Sequence, residues 1–153
     1  MPHVEQTTTE GVRADVAAAV ARLREAGCSS MFTVGFCYGG RNSWLAAADG
    51  HGLSGAIGFY GRPLEGRPPG RSPIERAGEL DAPILALMGG ADPAIPVEQV
   101  KAFEEALEEA GVAHEVVIYD GAPHSFFDRK QEEFAEASDD AWRRTLAFIE
   151  KYR

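Results

Sequence analysis

Apolar and polar positions along the chain alternate between helical spacing and short continuous apolar runs. Residues 13–26 set Val, Ala and Leu against Arg, Asp and Glu at helical spacing and stop at Gly27, which predicts a first helix. The apolar run at 31–36 predicts a strand, and 39–48 a second helix. Leu53 to Tyr60 is a further run of strand length. Pro, Gly and Arg dominate 61–78, which predicts a surface loop with at most a short helical turn near 73–78. The run at 83–89 reads as a buried strand, VEQVKAFEEALEEA at 97–110 as an amphipathic helix with an acidic outer face ended by Gly111, EVVIY at 115–119 as a strand, and 138–152 as a last helix. Strands joined by crossovers lie parallel, so the pattern predicts an α/β fold with about four parallel strands flanked by helices. A polar segment, 1–12, precedes the single domain at 13–153.

The first strand ends in Gly-Phe-Cys37-Tyr-Gly-Gly, placing one thiol where a strand turns sharply into a helix. A side chain on such an elbow is held in strained backbone angles, and Gly35 and Gly39, two before and two after, let the neighbouring chain pass close by. Cys37 then falls at the first turn of the helix, where unpaired N–H groups and the helix dipole favour a thiolate. The backbone N–H of Tyr38 turns back toward the thiol as an oxyanion donor. The plain alternative is a small buried cysteine between glycines that serve packing. Two further residues fall into order behind Cys37. Asp92 follows the strand at 83–89, and His124 follows the strand at 115–119, so all three lie beyond strand C-terminal ends, where open parallel sheets gather their binding loops. Taken singly, Asp92 also reads as an Asp-Pro turn former and His124 as a loop histidine packed on Phe126 and Phe127. His3, His51 and His114 lack such a setting. Tyr60, Trp44 and Phe126 are candidates for the pocket wall and equally for the core.

The three segments Gly-Phe-Cys37-Tyr-Gly-Gly, Gly-Gly-Ala-Asp92-Pro-Ala-Ile-Pro and Tyr-Asp-Gly-Ala-Pro-His124-Ser-Phe together resemble the dienelactone hydrolase family of α/β-hydrolases. The likeness runs from about Asp15 to the C-terminus and takes in Gly58-Phe-Tyr-Gly61. It implies a Cys37-Asp92-His124 triad that opens an ester or lactone of the carboxymethylenebutenolide kind through a thioester, with no cofactor. It implies a substrate contact from Arg129, near a second substrate-binding arginine of the family, with a solvated loop arginine as the alternative; Tyr60 and Phe126 are the substrate-binding candidates among the aromatic residues. Relatives carry further strands before the first helix, with a second oxyanion N–H, an arginine for the substrate carboxylate and a glutamate that contacts the resting thiol. A truncated α/β-hydrolase fold follows. In it, Phe32, Val34 and Phe36 form an exposed edge strand near 31–36, which predicts a homodimer or a partner chain there. The rival reading keeps the fold without catalysis, as an interaction module or half of a split enzyme.

Charge and composition narrow the partners. A net charge of −9 disfavours nucleic acid and anionic membranes, which need clustered Lys and Arg. No run is long enough to span a membrane, and the first twelve residues lack a secretory pattern. Two cysteines, Cys28 and Cys37, suit a reducing cytoplasm, and a strand of about six residues at ~3.3 Å each holds them too far apart for a disulfide. Neither a metal-ligand motif nor a phosphate-cradling glycine loop is present.

Overall fold

The computed structural model describes residues 6–153; His3 and the start of the polar N-terminal segment lie outside them. Helix α1 (Thr9–Glu25) leads into β1 (Phe32–Phe36), α2 (Tyr38–Ala46), β2 (Gly55–Phe59), a 3-10 turn (Ala77–Glu79), β3 (Ile84–Gly89), α3 (Val97–Glu109), β4 (His114–Tyr119) and α4 (Ala135–Tyr152). The sheet has the order β1-β2-β3-β4 and every pair is parallel. Two helix boundaries differ from the sequence reading by more than two residues. Helix α1 begins at Thr9 rather than at 13 because the Thr8 hydroxyl accepts the Gly11 N–H at 3.0 Å, capping a turn that the polar composition concealed. Helix α4 begins at Ala135, one turn earlier than 138.

Alternation along the strands divides the core into two layers. Ile84, Ala86 and Met88 face one side with Trp44 of α2 and Val100, Phe103 and Leu107 of α3. Leu85 and Leu87 face the other, with Ile57 and Phe59 of β2 and Ala141 and Phe148 of α4. Strands β2 and β3 are buried at every position, as expected of the inner strands of a covered parallel sheet. Trp44 is fully buried, and its indole N–H donates to the Leu85 carbonyl at 3.1 Å, so the largest side chain of this layer leaves no donor unsatisfied.

Strand β1 stands at the edge and, among the described residues, pairs only with β2. Val34 is 46% and Phe36 40% exposed. Phe36 stacks on Phe127 with ring centroids 5.8 Å apart, and Phe127 lies 6.2 Å from the ring of Trp142, an exposed residue of α4. Apolar surface therefore continues from the free edge of the sheet onto α4. Among the described residues no helix is long and apolar enough to cross a membrane.

The β1-to-α2 turn is the tightest crossing in the chain. A Cβ on Gly35 would stand 2.0 Å from the Gly39 carbonyl oxygen, and one on Gly40 would stand 2.7 Å from the Phe59 carbonyl oxygen. A Cβ on Gly39 would meet nothing within 4 Å. The sequence reading of Gly39 as the second space-making glycine is thus corrected: Gly39 supplies the carbonyl that crowds Gly35, and Gly40 is where α2 touches β2. Urea denaturation should separate them. Gly39→Ala is expected to stay within about 1 kcal/mol of the parent, since Ala favours a helix. Gly35→Ala and Gly40→Ala are expected to lose about 1–3 kcal/mol or more by overpacking.

Candidate active site

Cys37 sits between β1 and α2 with φ 54° and ψ −114°, a left-handed backbone that non-glycine residues rarely hold. Its N–H donates to the Phe59 carbonyl at 2.9 Å, continuing the β1-β2 pairing past the end of β1, and its own carbonyl accepts the Arg41 N–H at 3.3 Å. These bonds fix the elbow from both sides while the side chain stays exposed. Cys28 is also exposed and unpaired, at the far end of β1.

Asp92 and His124 are brought together by loops that bond to each other. Gly90 N–H donates to the Tyr119 carbonyl at 2.8 Å and Ala91 N–H to the Ala122 carbonyl at 2.9 Å, so the turn after β3 is laced to the turn after β4. The Asp92 carboxylate then divides its oxygens. Oδ1 accepts the Ala94 N–H at 2.9 Å, and Oδ2 lies 2.5 Å from His124 Nδ1. Both readings of Asp92, turn former and imidazole partner, hold at once, one on each oxygen. The Asp92 side chain is 1% exposed and that of His124 30%, so the carboxylate is shielded while the imidazole reaches the surface. Ser125 follows with φ 60°, a second left-handed residue beside the candidate chemistry.

Cys37 and His124 open into one cavity of about 300 Å³. Tyr38, Tyr60 and Ile95 contribute to its wall. Tyr60 also has a left-handed backbone, φ 38°, and its ring centroid lies 5.1 Å from that of His124. Its hydroxyl donates to Asp128 Oδ1 at 2.9 Å. Burial, and next the bond to the Asp128 carboxylate, hold the Tyr60 phenol far above its usual range, so it remains neutral as a wall and tether. Asp128 lies in the same loop as His124, four residues on, so Tyr60 ties that loop to the end of β2.

Three expected positions lie elsewhere. Phe126 is fully buried and packs edge-on against Tyr60 at 5.6 Å and against Tyr119 at 5.1 Å, on the α4 side of the sheet; it supports the cavity wall from behind instead of forming it. Arg129 is exposed on the outside of the His124 loop, over a shallow surface shared with Lys130 and Glu132, because the turn there points it away from the cavity. Trp44 belongs to the core.

The arginines that do line the cavity are Arg41, Arg62 and Arg67, none of which the sequence reading selected. Arg41 had a signal, since it lies four residues after Cys37 on α2 and so one turn along the same face. Arg62 and Arg67 had none, because nothing local says that the Pro- and Gly-rich loop folds back over the thiol. A second concavity of about 280 Å³ lies between α1, α2 and the loop near 68–79. Its Asp49 is paired with Arg13 at 2.6 Å and Arg76 at 3.0 Å, and it contains none of the candidate catalytic residues. Among the described residues no group of three or more His, Cys, Asp or Glu is placed to hold a metal ion.

The dienelactone hydrolase family model matches residues 1–153. An Escherichia coli (strain K12) protein named "Putative carboxymethylenebutenolidase" is 37% identical over 126 residues, covering 80% of this chain and 46% of its own length. A Methylorubrum extorquens protein of the same name is 35% identical over 148 residues, covering 92% and 50%. The chain thus spans about half the length of these curated relatives. A crystal structure described as "Putative Dienelactone Hydrolase from Klebsiella pneumoniae" superposes with a TM-score of 0.85 at 31% identity, over 94% of this chain and 62% of that one. With its four parallel strands, left-handed elbow and a family match over residues 1–153, the chain belongs to the dienelactone hydrolase family and has that family's α/β fold.

Proposed function

We propose that this chain hydrolyses an ester or lactone, of the carboxymethylenebutenolide type, by nucleophilic catalysis at Cys37. One observation carries the reading: a thiol on a left-handed elbow shares a cavity with an imidazole whose far nitrogen is held by a buried carboxylate. In this scheme His124 takes the Cys37 proton through Nε2 while Sγ forms a bond to the carbonyl carbon. Asp92, bonded to Nδ1, fixes the imidazole tautomer and stabilises the imidazolium. The Tyr38 N–H, first in α2 and without a helical partner for its proton, donates to the oxyanion. Collapse breaks the carbon–oxygen bond, and the leaving oxygen takes the proton from His124; in a lactone that oxygen stays tethered to the acyl chain. His124 then draws a proton from water as it attacks the thioester, and the acid and the thiol are released. Tyr60 lines the substrate space. The scheme draws on protein groups and water alone.

Two unpaired, exposed thiols suit a reducing compartment, which supports a cytoplasmic setting. Incubation with p-nitrophenyl acetate should give an acetyl adduct on Cys37 by intact-mass and peptide analysis. Cys37→Ala and His124→Ala should each lower turnover by about 10³-fold or more. Hydrolysis that survives Cys37→Ala would overturn the scheme.

A second reading, an interaction module or one half of a split enzyme, is favoured by the free edge of β1. Among the described residues its outer backbone row has no neighbouring strand, its five residues carry no charge, and Val34 and Phe36 are exposed on it. A homodimer or a partner polypeptide adds a strand there in either reading. Sedimentation velocity is expected to show a dimer for the parent chain and a monomer for Val34→Lys. A parent chain that sediments as a monomer and cleaves esters would remove both the homodimer and the non-catalytic reading.

A further inference from the structure

We infer that Asp128 and Tyr60 form a positioning pair that holds the His124 imidazole against Cys37; the inference rests on the hydrolase reading above. Among the described residues the His124 ring makes one hydrogen bond, with Nδ1 and Asp92 Oδ2 2.5 Å apart. One bond sets a distance but leaves the ring free to swing about it, and the His124 side chain is 30% exposed. Proton transfer requires the other ring nitrogen to be held in register with the thiol, and that takes a second support from a residue locked in its own place.

Tyr60 is placed to give that support. The residue before it, Phe59, holds the thiol's elbow by accepting the Cys37 N–H, and the Tyr60 N–H itself donates to the Leu87 carbonyl of β3 at 2.8 Å. The Tyr60 ring is fully buried and lies 5.1 Å from the His124 ring, tilted by 58°. Its hydroxyl donates to Asp128 Oδ1 at 2.9 Å. His124 and Asp128 flank a single turn, closed by the Arg129 N–H on the Ser125 carbonyl at 3.1 Å. One side chain from the end of β2 therefore grips that turn near both ends. The middle of the turn is fixed on the α4 side, where Phe126 is buried and its carbonyl accepts the Ser138 hydroxyl at 3.2 Å. Among the described residues, the side-chain hydrogen bond that fixes the turn to β2, and so to the strand end that carries the elbow, is the one between Tyr60 and Asp128. Tyr60 holds φ 38° in this position, an angle that a bulky residue keeps only where its surroundings over-determine it. Burial, and next the Asp128 carboxylate, keep the proton on the phenol, so the donor is always present.

A purely structural account makes Asp128 no more than the acceptor that a buried hydroxyl requires. On that account Tyr60→Phe is nearly silent, because it removes the hydroxyl together with its need and leaves Asp128, an exposed residue, to water. On the positioning account the same change unties the turn that carries His124 and slows the chemistry.

Two measurements on the same variants separate the accounts: turnover of p-nitrophenyl acetate, and the rate at which iodoacetamide alkylates Cys37 relative to Cys28, which is exposed and outside the cavity. Asp128 is not part of the cavity wall, so Asp128→Ala is expected to lower kcat about tenfold with KM within about twofold of the parent. Asp128→Asn keeps an acceptor oxygen and should recover most of the loss. Tyr60→Phe should match Asp128→Ala in kcat, and the double variant should lose no more than either single change, since both remove one bond. The Cys37-to-Cys28 alkylation ratio should fall in Asp128→Ala part of the way toward its value in His124→Ala. A parent-like kcat in folded Tyr60→Phe or Asp128→Ala would overturn the inference, and so would Asp128→Asn as slow as Asp128→Ala, or losses that add in the double variant. If no ester is cleaved but the alkylation ratio follows this order, the hydrolase reading fails and the positioning pair stands. If His124→Ala lowers the ratio and Asp128→Ala does not, the pair alone fails; a ratio that His124→Ala leaves unchanged overturns both.

Discussion

The backbone crossing at the end of β1 is the constraint on which the rest of the site depends. Helix α2 starts so close to β1 and β2 that the carbonyl of Gly39 fills the space of a side chain at Gly35, and Gly40 rests on the Phe59 carbonyl. With the chain held at both points, the residue between strand and helix has no room for ordinary extended or helical angles, and Cys37 takes φ 54°. The strain is borne by two-sided hydrogen bonding and by the packing of Trp44 beneath the helix. What it yields is a side chain lifted clear of the sheet at the edge where the other loops converge.

Those loops reach the thiol because the sheet is parallel and its strands run in sequence order. Each crossover returns the chain to the same starting edge, so the turns after β1, β2, β3 and β4 all emerge at the opposite one. Cys37, Tyr60, Asp92 and His124 follow successive strands for that reason. The left-handed residues Cys37, Tyr60 and Ser125 all fall at this edge, where tertiary contacts hold backbone angles that an isolated peptide would leave.

The same molecule leaves two electrostatic and packing demands open. One is Arg41, enclosed beside the thiol with donors lacking partners. The other is the free side of β1, where apolar side chains continue through Phe127 to Trp142. The first lies in the wall of the cavity that holds Cys37, and the second is the outer side of an edge strand.

Periodicity and turn chemistry alone placed the four strands, the four helices packed on them, and Cys37, Asp92 and His124 beyond the C-terminal ends of β1, β3 and β4. Apolar runs, glycine elbows and Asp-Pro turns are local in origin, so the pattern of the chain reports them directly. Boundaries were less legible where a cap such as Thr8 extends a helix into polar sequence. Only the tertiary structure decided that Gly40 is the spacer and Gly39 is not, that Phe126 turns into the core, and that Arg129 faces outward while Arg41, Arg62 and Arg67 line the cavity with Cys37. Each of those outcomes depends on which element packs against which. That is set by long-range burial and loop direction, and neither leaves a mark in the residues nearby.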